Sequence, residues 1–289
     1  MKKSILLAGI ALFAVSCSDE INNKVNNDVL VPVRVHVDGF NVSQEDFSPT
    51  RAAQNLSEYS GINAITLAFY RGTTEVYKST QASTDTGFGN FTLSLPMGSY
   101  TMVALAYYNS DASPLELTSP TVAAFTGVRA YETFAVTQEV VISNTNAVDI
   151  SATLDRIVTQ LKVVSTDGKT ADVSNVRMTF SAGGKDFNPS TGLTITNTGF
   201  ANTVGNSAAV GATSTSLNFL FLATDEQDID VTIETLDADG NTLFSKTVNN
   251  VPFKRNRITK LTGAMYTNAG LAGTFQVETA WITEEDESF

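Results

Sequence analysis

Every second residue between Val29 and Val37 is valine, and no other stretch of the chain constrains the fold as tightly. Val29, Val31, Val33, Val35 and Val37 alternate with Leu30, Pro32, Arg34, His36 and Asp38. A β-strand turns successive side chains to opposite faces. Period two therefore sends all five valines to one side and most polar groups to the other. Pro32 has no N–H to give a ladder, which predicts a strand at a sheet edge, or one paired on one side there. His36 faces away from the valines, on the solvated side. Burying a valine contributes about 1.5 kcal/mol, so five represent on the order of 7 kcal/mol, comparable to the stability of a whole domain.

The rest of the chain keeps the same style. Abundant Thr, Val, Ser and Asn, with turn residues every ten or so positions, predict an all-β protein. Strand signals lie at Ile62–Tyr70, Thr74–Thr80, Phe91–Leu95, Tyr100–Tyr108, Tyr131–Val136 and Val140–Ile142. The segment from Ser110 to Arg129 reads as a long surface loop. A change of phase follows. Val148, Ile150, Ala152 and Leu154 place the apolar face on even positions, whereas Ile157, Leu161 and Val163 place it on odd ones. A one-residue slip flips the buried face, so Asp155-Arg156 marks a handover between domains or a bulge in one long strand. Further strands are expected at Val176–Ser181, Leu193–Thr196, Leu217–Leu222, Ile229–Leu236, Leu243–Val248 and Arg257–Leu261, with a loop over Gly199–Ser216. Phe275, Val277, Thr279 and Trp281 alternate with polar or small residues in a last strand, followed by an acidic tail.

Composition excludes several chemistries. A formal charge of −12 argues against nucleic acid as a partner, since phosphates demand clustered Lys and Arg. One cysteine and one histidine leave no disulfide, no multi-histidine metal site and little room for a Ser-His-Asp triad. No glycine-rich phosphate loop, HExxH or GxSxG pattern is present, so no cofactor and no catalytic residue are indicated and the chain is not read as an enzyme. Asp237, Asp239 and Asn241 have the spacing of a calcium loop without its downstream glutamate, and a β-turn explains them better. Lys254, Arg255 and Arg257 read as a solvated hairpin end. Tyr107, Tyr108 and Tyr131 keep open a carbohydrate-binding role, although such aromatics also fill β-sandwich cores.

Cys17 is placed for export chemistry. Lys2 and Lys3 precede an apolar run from Ile5 to Val15, and Ala14-Val15-Ser16 leads into the thiol. This is the layout of a secretory signal, too short for a membrane span. A cysteine at the cleavage point can take a diacylglycerol. An ordinary signal that merely ends near a cysteine is the competing reading. Lipoprotein processing supplies the two or more acyl chains that durable anchoring needs. Ser18 to Asp28 is a polar, Asn-rich tether.

With these pieces in order, the chain resembles a fimbrillin of the Bacteroidales type, the subunit of type V pili. The resemblance rests on the lipobox at Cys17, the valine strand followed by Thr50-Arg51-Ala52, and Leu154-Asp155-Arg156-Ile157-Val158. It also rests on the run Val251–Thr259 with Leu261-Thr262-Gly263, and on the Trp281-bearing last strand. It implies two tandem transthyretin-like β-sandwich domains with Greek-key-type connections. The divisions would be a signal at 1–16, a tether at 17–28, a first domain at 29–154 and a second at 155–289. It further implies export by the lipoprotein machinery to the outer membrane, and cleavage after Arg51 by an arginine-specific protease. Val29–Val37 would then be removed and replaced by a donor strand within 270–289 of another pilus subunit, building a head-to-tail fimbrium at the cell surface for adhesion and biofilm formation. The alternatives are a Val29–Val37 strand that stays in place with Arg51 an ordinary loop residue, a Phe275–Trp281 segment that folds onto its own C-terminal domain, and, within the same family, a subunit that keeps its lipid as an anchor.

Overall fold

In the computed structural model of the chain the described residues are 29–41, 56, 59, 61–267 and 275–278. Cys17, Arg51, Ala52, Thr279 and Trp281 lie outside them, as do the expected signal and tether. Among the described residues the fold is all-β, without helices. In chain order the first half supplies β1 (Leu30–Asn41), β2 (Ala64–Arg71), β3 (Thr74–Ala82), β4 (Asn90–Pro96), β5 (Gly98–Tyr107), β6 (Leu115–Ser119), β7 (Val122–Phe125), β8 (Thr133–Ile142) and β9 (Val148–Arg156). The second half supplies β10 (Thr159–Ser165), β11 (Asn175–Phe180), β12 (Asp186–Phe187), β13 (Phe200–Gly205), β14 (Thr215–Leu220), β15 (Glu226–Leu236), β16 (Thr242–Lys254), β17 (Ile258–Gly263) and β18 (Gln276–Glu278).

Seven strands form one sheet in the order β3-β2-β5-β8-β9-β1-β4. Its strands do not lie in one plane around the core. Val31, Val33, Val35 and Val37 of β1 share a single buried cluster with Leu67 and Phe69 of β2 and Met102 of β5. The two ends of the sheet thus face each other. The fold-over occurs at β8 and β9, which are joined by only two residue pairs, Phe134↔Arg156 and Ala135↔Asp155. A narrow seam lets the two portions swing together and seal the valines between them.

Of the two settings expected for Pro32 of β1, the sheet edge does not hold and one-sided pairing at the proline does. The strand is internal, antiparallel to β4 from Leu30↔Pro96 to His36↔Asn90 and parallel to β9 from Val33↔Val148 to Asn41↔Asp155. Proline is accommodated because the β9 ladder starts only at Val33, so Pro32 faces a paired neighbour on the β4 side alone.

The change of phase at Asp155-Arg156 coincides with a change of sheet. β9 belongs to the seven-stranded sheet, and β10 to a four-stranded sheet ordered β14-β10-β17-β18. A second four-stranded sheet, β13-β11-β15-β16, packs against it. Leu161, Val163 and Leu261 of one sheet and Met178, Phe180, Val231 and Ile233 of the other form one buried cluster.

A third cluster bonds the two halves. Ala68, Tyr70, Val103 and Leu105 on the outer face of β2 and β5 pack with Phe125, Ile157, Phe187 and Phe221. This explains why β2 is buried on both faces and shows no alternation. The contact is reinforced by β12, which pairs with β7 across the halves and completes a three-stranded sheet ordered β12-β7-β6.

Three expectations are corrected. Ser110–Arg129 contains β6 and β7, and Gly199–Ser216 contains β13 and the start of β14. Leu193–Thr196 is not a strand. Its backbone instead wraps the Asp186 carboxylate, which accepts bonds from Thr194 Oγ1 at 2.7 Å and Thr196 N at 3.0 Å. These polar contacts replace a ladder.

Candidate functional site

The feature that stands out is the slot occupied by β1. Alternation places Val31, Val33, Val35 and Val37 in the core at 0–1% exposure, while Arg34, His36 and Asp38 stay on the outer face. Arg34 Nη1 lies 3.1 Å from Asp149 Oδ1 of β9. His36 Nδ1 lies 2.7 Å from Asn90 Oδ1 of β4, and His36 Nε2 lies 3.3 Å from Asp38 Oδ1. All are exposed contacts, worth little in water. The strand is held from its inner face and by the two ladders.

Between Val37 and Gly39 the β9 register shifts. The bulge turns Phe40 inward after the valine run, fully buried. Its ring packs 4.4 Å from that of Phe134 and 5.6 Å from that of Tyr59. Tyr59 in turn joins a polar knot. Its hydroxyl bonds Glu132 and receives Arg156 Nη2 at 2.5 Å, and Arg156 Nη2 lies 2.7 Å from Glu132 Oε1. Burial is the largest influence on the Tyr59 phenol and raises its pKa; Arg156 opposes that shift and Glu132 adds to it. The phenol therefore stays a protonated donor.

Arg156 ends β9, and the same guanidinium reaches the second half, with Nη1 3.4 Å from Asn256 Oδ1. Asn256 adopts φ 60° in the β16–β17 turn and donates its N–H to Val158 O at 2.8 Å. The sequence runs around Arg156 and around Asn256 thus meet at the junction, although the two residues are 100 positions apart. Phe40, Tyr59, Glu132 and Asn256 were not singled out as site residues from sequence. Nothing local marks them, because each gains its role only from residues distant in the chain.

The last strand occupies a very different setting. The described part of the donor candidate is in place on its own chain. Gln276–Glu278 pairs with Thr262–Lys260 of β17 through three residue pairs. Phe275 is 9% exposed. Its ring lies against Gly263, where a Cβ would come within 2.7 Å. Glycine makes that close approach possible.

The remaining sequence candidates sit in turns, ion pairs and aromatic contacts. Asp237 accepts bonds from Asn241 N at 2.8 Å, Asn241 Nδ2 at 2.9 Å and Asp239 N at 3.0 Å, closing the β15–β16 turn. Those bonds, Asn241's first, hold its carboxyl below the usual range. Lys254 pairs with Glu226 at 2.6 Å and Arg255 with Asp225 at 2.8 Å. Tyr107 is buried, with its hydroxyl 3.1 Å from Thr66 Oγ1. Tyr108 is 42% exposed and packs 5.1 Å from Tyr131, over which the Arg129 guanidinium sits at 4.8 Å. Among the described residues no group of three or more His, Cys, Asp or Glu is placed to hold a metal ion.

The sequence model of a family of unknown function, DUF6562, matches residues 31–288. The fold is similar to that of two solved structures of candidate adhesins from Bacteroides ovatus. One is 11% identical, covers 88% of this chain and 94% of its own, and has a TM-score of 0.52. The other is 10% identical, covers 84% and 88%, and has a TM-score of 0.50. A looser likeness, at TM-score 0.47 and 12% identity over 86% of this chain and 95% of the other, is to the fimbrial anchor protein Mfa2 from Porphyromonas gingivalis. No curated protein sequence matches the chain.

Proposed function

The chain belongs to the DUF6562 family, and from the setting of its first strand we propose that it is a structural subunit of a cell-surface fimbrium, assembled by strand exchange. In this reading the precursor is exported as a lipoprotein through Cys17 and delivered to the outer membrane. An arginine-specific protease cuts between Arg51 and Ala52, and β1 leaves with the lipid. The observation that carries the reading is that β1 is enclosed between β4 and β9 with its valines fully buried. Its loss would open a slot with an apolar floor and unpaired backbone on both sides. Such a slot is refilled by an extended segment that gains ladder hydrogen bonds and pocket contacts together.

The donor would be the last strand, Phe275, Val277, Thr279 and Trp281, from the next subunit. That contact is heterologous and propagates head to tail. The two buried cores on either side of Ile157-Val158 support two transthyretin-like sandwich domains, 29–154 and 155–289. The shared fold with candidate adhesins supports a role in surface adhesion.

Treating the purified precursor with an arginine-specific protease tests this. The expected product begins at Ala52 and forms ladders on gels, and Arg51→Ala abolishes both. A cut product that stays monomeric overturns the mechanism. A second reading, a lipid-retaining anchor subunit, is favoured by the seating of β18 on its own β17. Labelled fatty acid remaining on the mature surface protein would select it. Exposed Tyr108 beside Tyr131 favours a third, a carbohydrate-binding surface lipoprotein, which a blank glycan array would remove.

A further inference from the structure

Among the described residues only two strand pairs are parallel, β1 with β9 and β10 with β17; every other named pair is antiparallel. These two pairs are consecutive along the chain. β9 ends at Arg156, β10 begins at Thr159, and only Ile157 and Val158 separate them.

We propose that this series, β1 to β9 to β10 to β17, is the path by which the protein carries tension between its two ends. Force applied on the N-terminal side of β1 pulls that strand backwards. β9 is held through its C-terminal end, so eight registered residue pairs slide against one another and load together. At the other half, force enters β10 through its N-terminal end and leaves β17 through its C-terminal end. Six further pairs are loaded in the same shearing sense. Parallel pairing is what makes this geometry, because the loaded ends of the two strands lie at opposite ends of the ladder. An antiparallel pair pulled the same way opens one rung at a time.

β18 provides that contrast within the same molecule. It runs antiparallel to β17, with Glu278 opposite Lys260 and Gln276 opposite Thr262. Tension on its C-terminal side peels three pairs in sequence. The end of the chain is therefore released before the β10–β17 ladder is stressed. Several contacts brace the junction against bending: Phe125 N donates to Lys185 O at 2.9 Å, Arg156 reaches Asn256, and Ala130 bridges Phe219.

The inference concerns the uncut chain, in which β1 is still in its slot, and so rests on the lipid-retaining subunit reading for the origin of the force. It is tested by pulling single molecules of the full chain, with Cys17→Ser, between handles at its two ends. The first event is expected at low force and releases the chain back to Thr267, about 4 nm when extended, because the N–H groups of Met265, Tyr266 and Thr267 are held by the Asp167 carboxylate. The sheets rupture afterwards at higher force. Two matched pairs of variants separate the path from general stability. Val163→Ala on β10 and Val231→Ala on β15 remove the same methyls from one core; Val35→Ala on β1 and Val140→Ala on β8 do so in the other.

The on-path variants should lower the rupture force of their half, while the off-path variants leave it unchanged at a similar loss in urea midpoint. Forced rupture follows the unfolding rate along the pulled coordinate, so the two readouts can part. Equal force losses within a matched pair, or a second half that unravels at the force that frees β18, would overturn the path. Absence of the native protein from the surface of intact cells would instead overturn the surface reading and leave the force result standing.

Discussion

β1 and β18 are written in the same sequence language and embedded in opposite ways. Each alternates apolar and polar residues, and each could line one face of a sheet. β1 has a partner on both sides and four valines at 0–1% exposure. β18 has one partner, three residue pairs and a position at the end of its sheet. The pattern of side chains decides which face a strand buries. How firmly the strand is held depends on its neighbours, and those come from elsewhere in the chain.

The sharpest way to break that contrast is to attack both strands from within. Val35→Asp places an unpaired carboxylate in a closed core and should cost more than about 4 kcal/mol. Phe275→Ala, at an edge free to relax, should cost about 2 kcal/mol. Urea unfolding of the two variants gives the comparison, and equal losses would mean that β18 is as firmly embedded as β1.

An effect between those two is expected where the wall of the slot is fixed. Arg156→Ala leaves Glu132 buried without its cation and should cost about 3 kcal/mol. If the thermal midpoint barely moves, the knot of Tyr59, Glu132 and Arg156 does not hold the end of β9. The smallest effect belongs to the outer face. Arg34→Ala removes an exposed ion pair and should change stability by less than about 0.5 kcal/mol. A larger loss would show that β1 is gripped from outside as well.

How much of this could be read in the sequence follows the same division. The face of β1 was legible because valines at period two admit one arrangement: Val31, Val33, Val35 and Val37 are buried, while Val29 precedes the strand and is half-buried. Its internal position was not. Pro32 allowed an edge or one-sided pairing at that residue, and the late start of the β9 ladder at Val33 realises the second inside the sheet. β2 and β5 lacked alternation because a third core covers their second face. β7 and β13 carry small or polar residues, Ala123 and Ala124 or Asn202 and Thr203, whose strand character depends on pairing more than on side-chain pattern, and β6 alternates over only five residues. The phase change at Asp155-Arg156 was visible, since moving from one sheet to another resets which side is inside. The Arg156–Asn256 contact was invisible, as no local rule links residues a hundred positions apart.

The pairing of β1 with β9 also sets a timetable. Arg34 and Asp149 are separated by 115 positions, so β1 is synthesised well before the strand it pairs with and is among the last to find its place. Until the chain has grown past Asp155, the valine face has no complete shelter. Contacts this distant in sequence slow folding, and an apolar strand exposed in the meantime invites association with other chains. The valine run that closes the finished core is therefore, while the chain is being made, a segment that needs shelter from other chains.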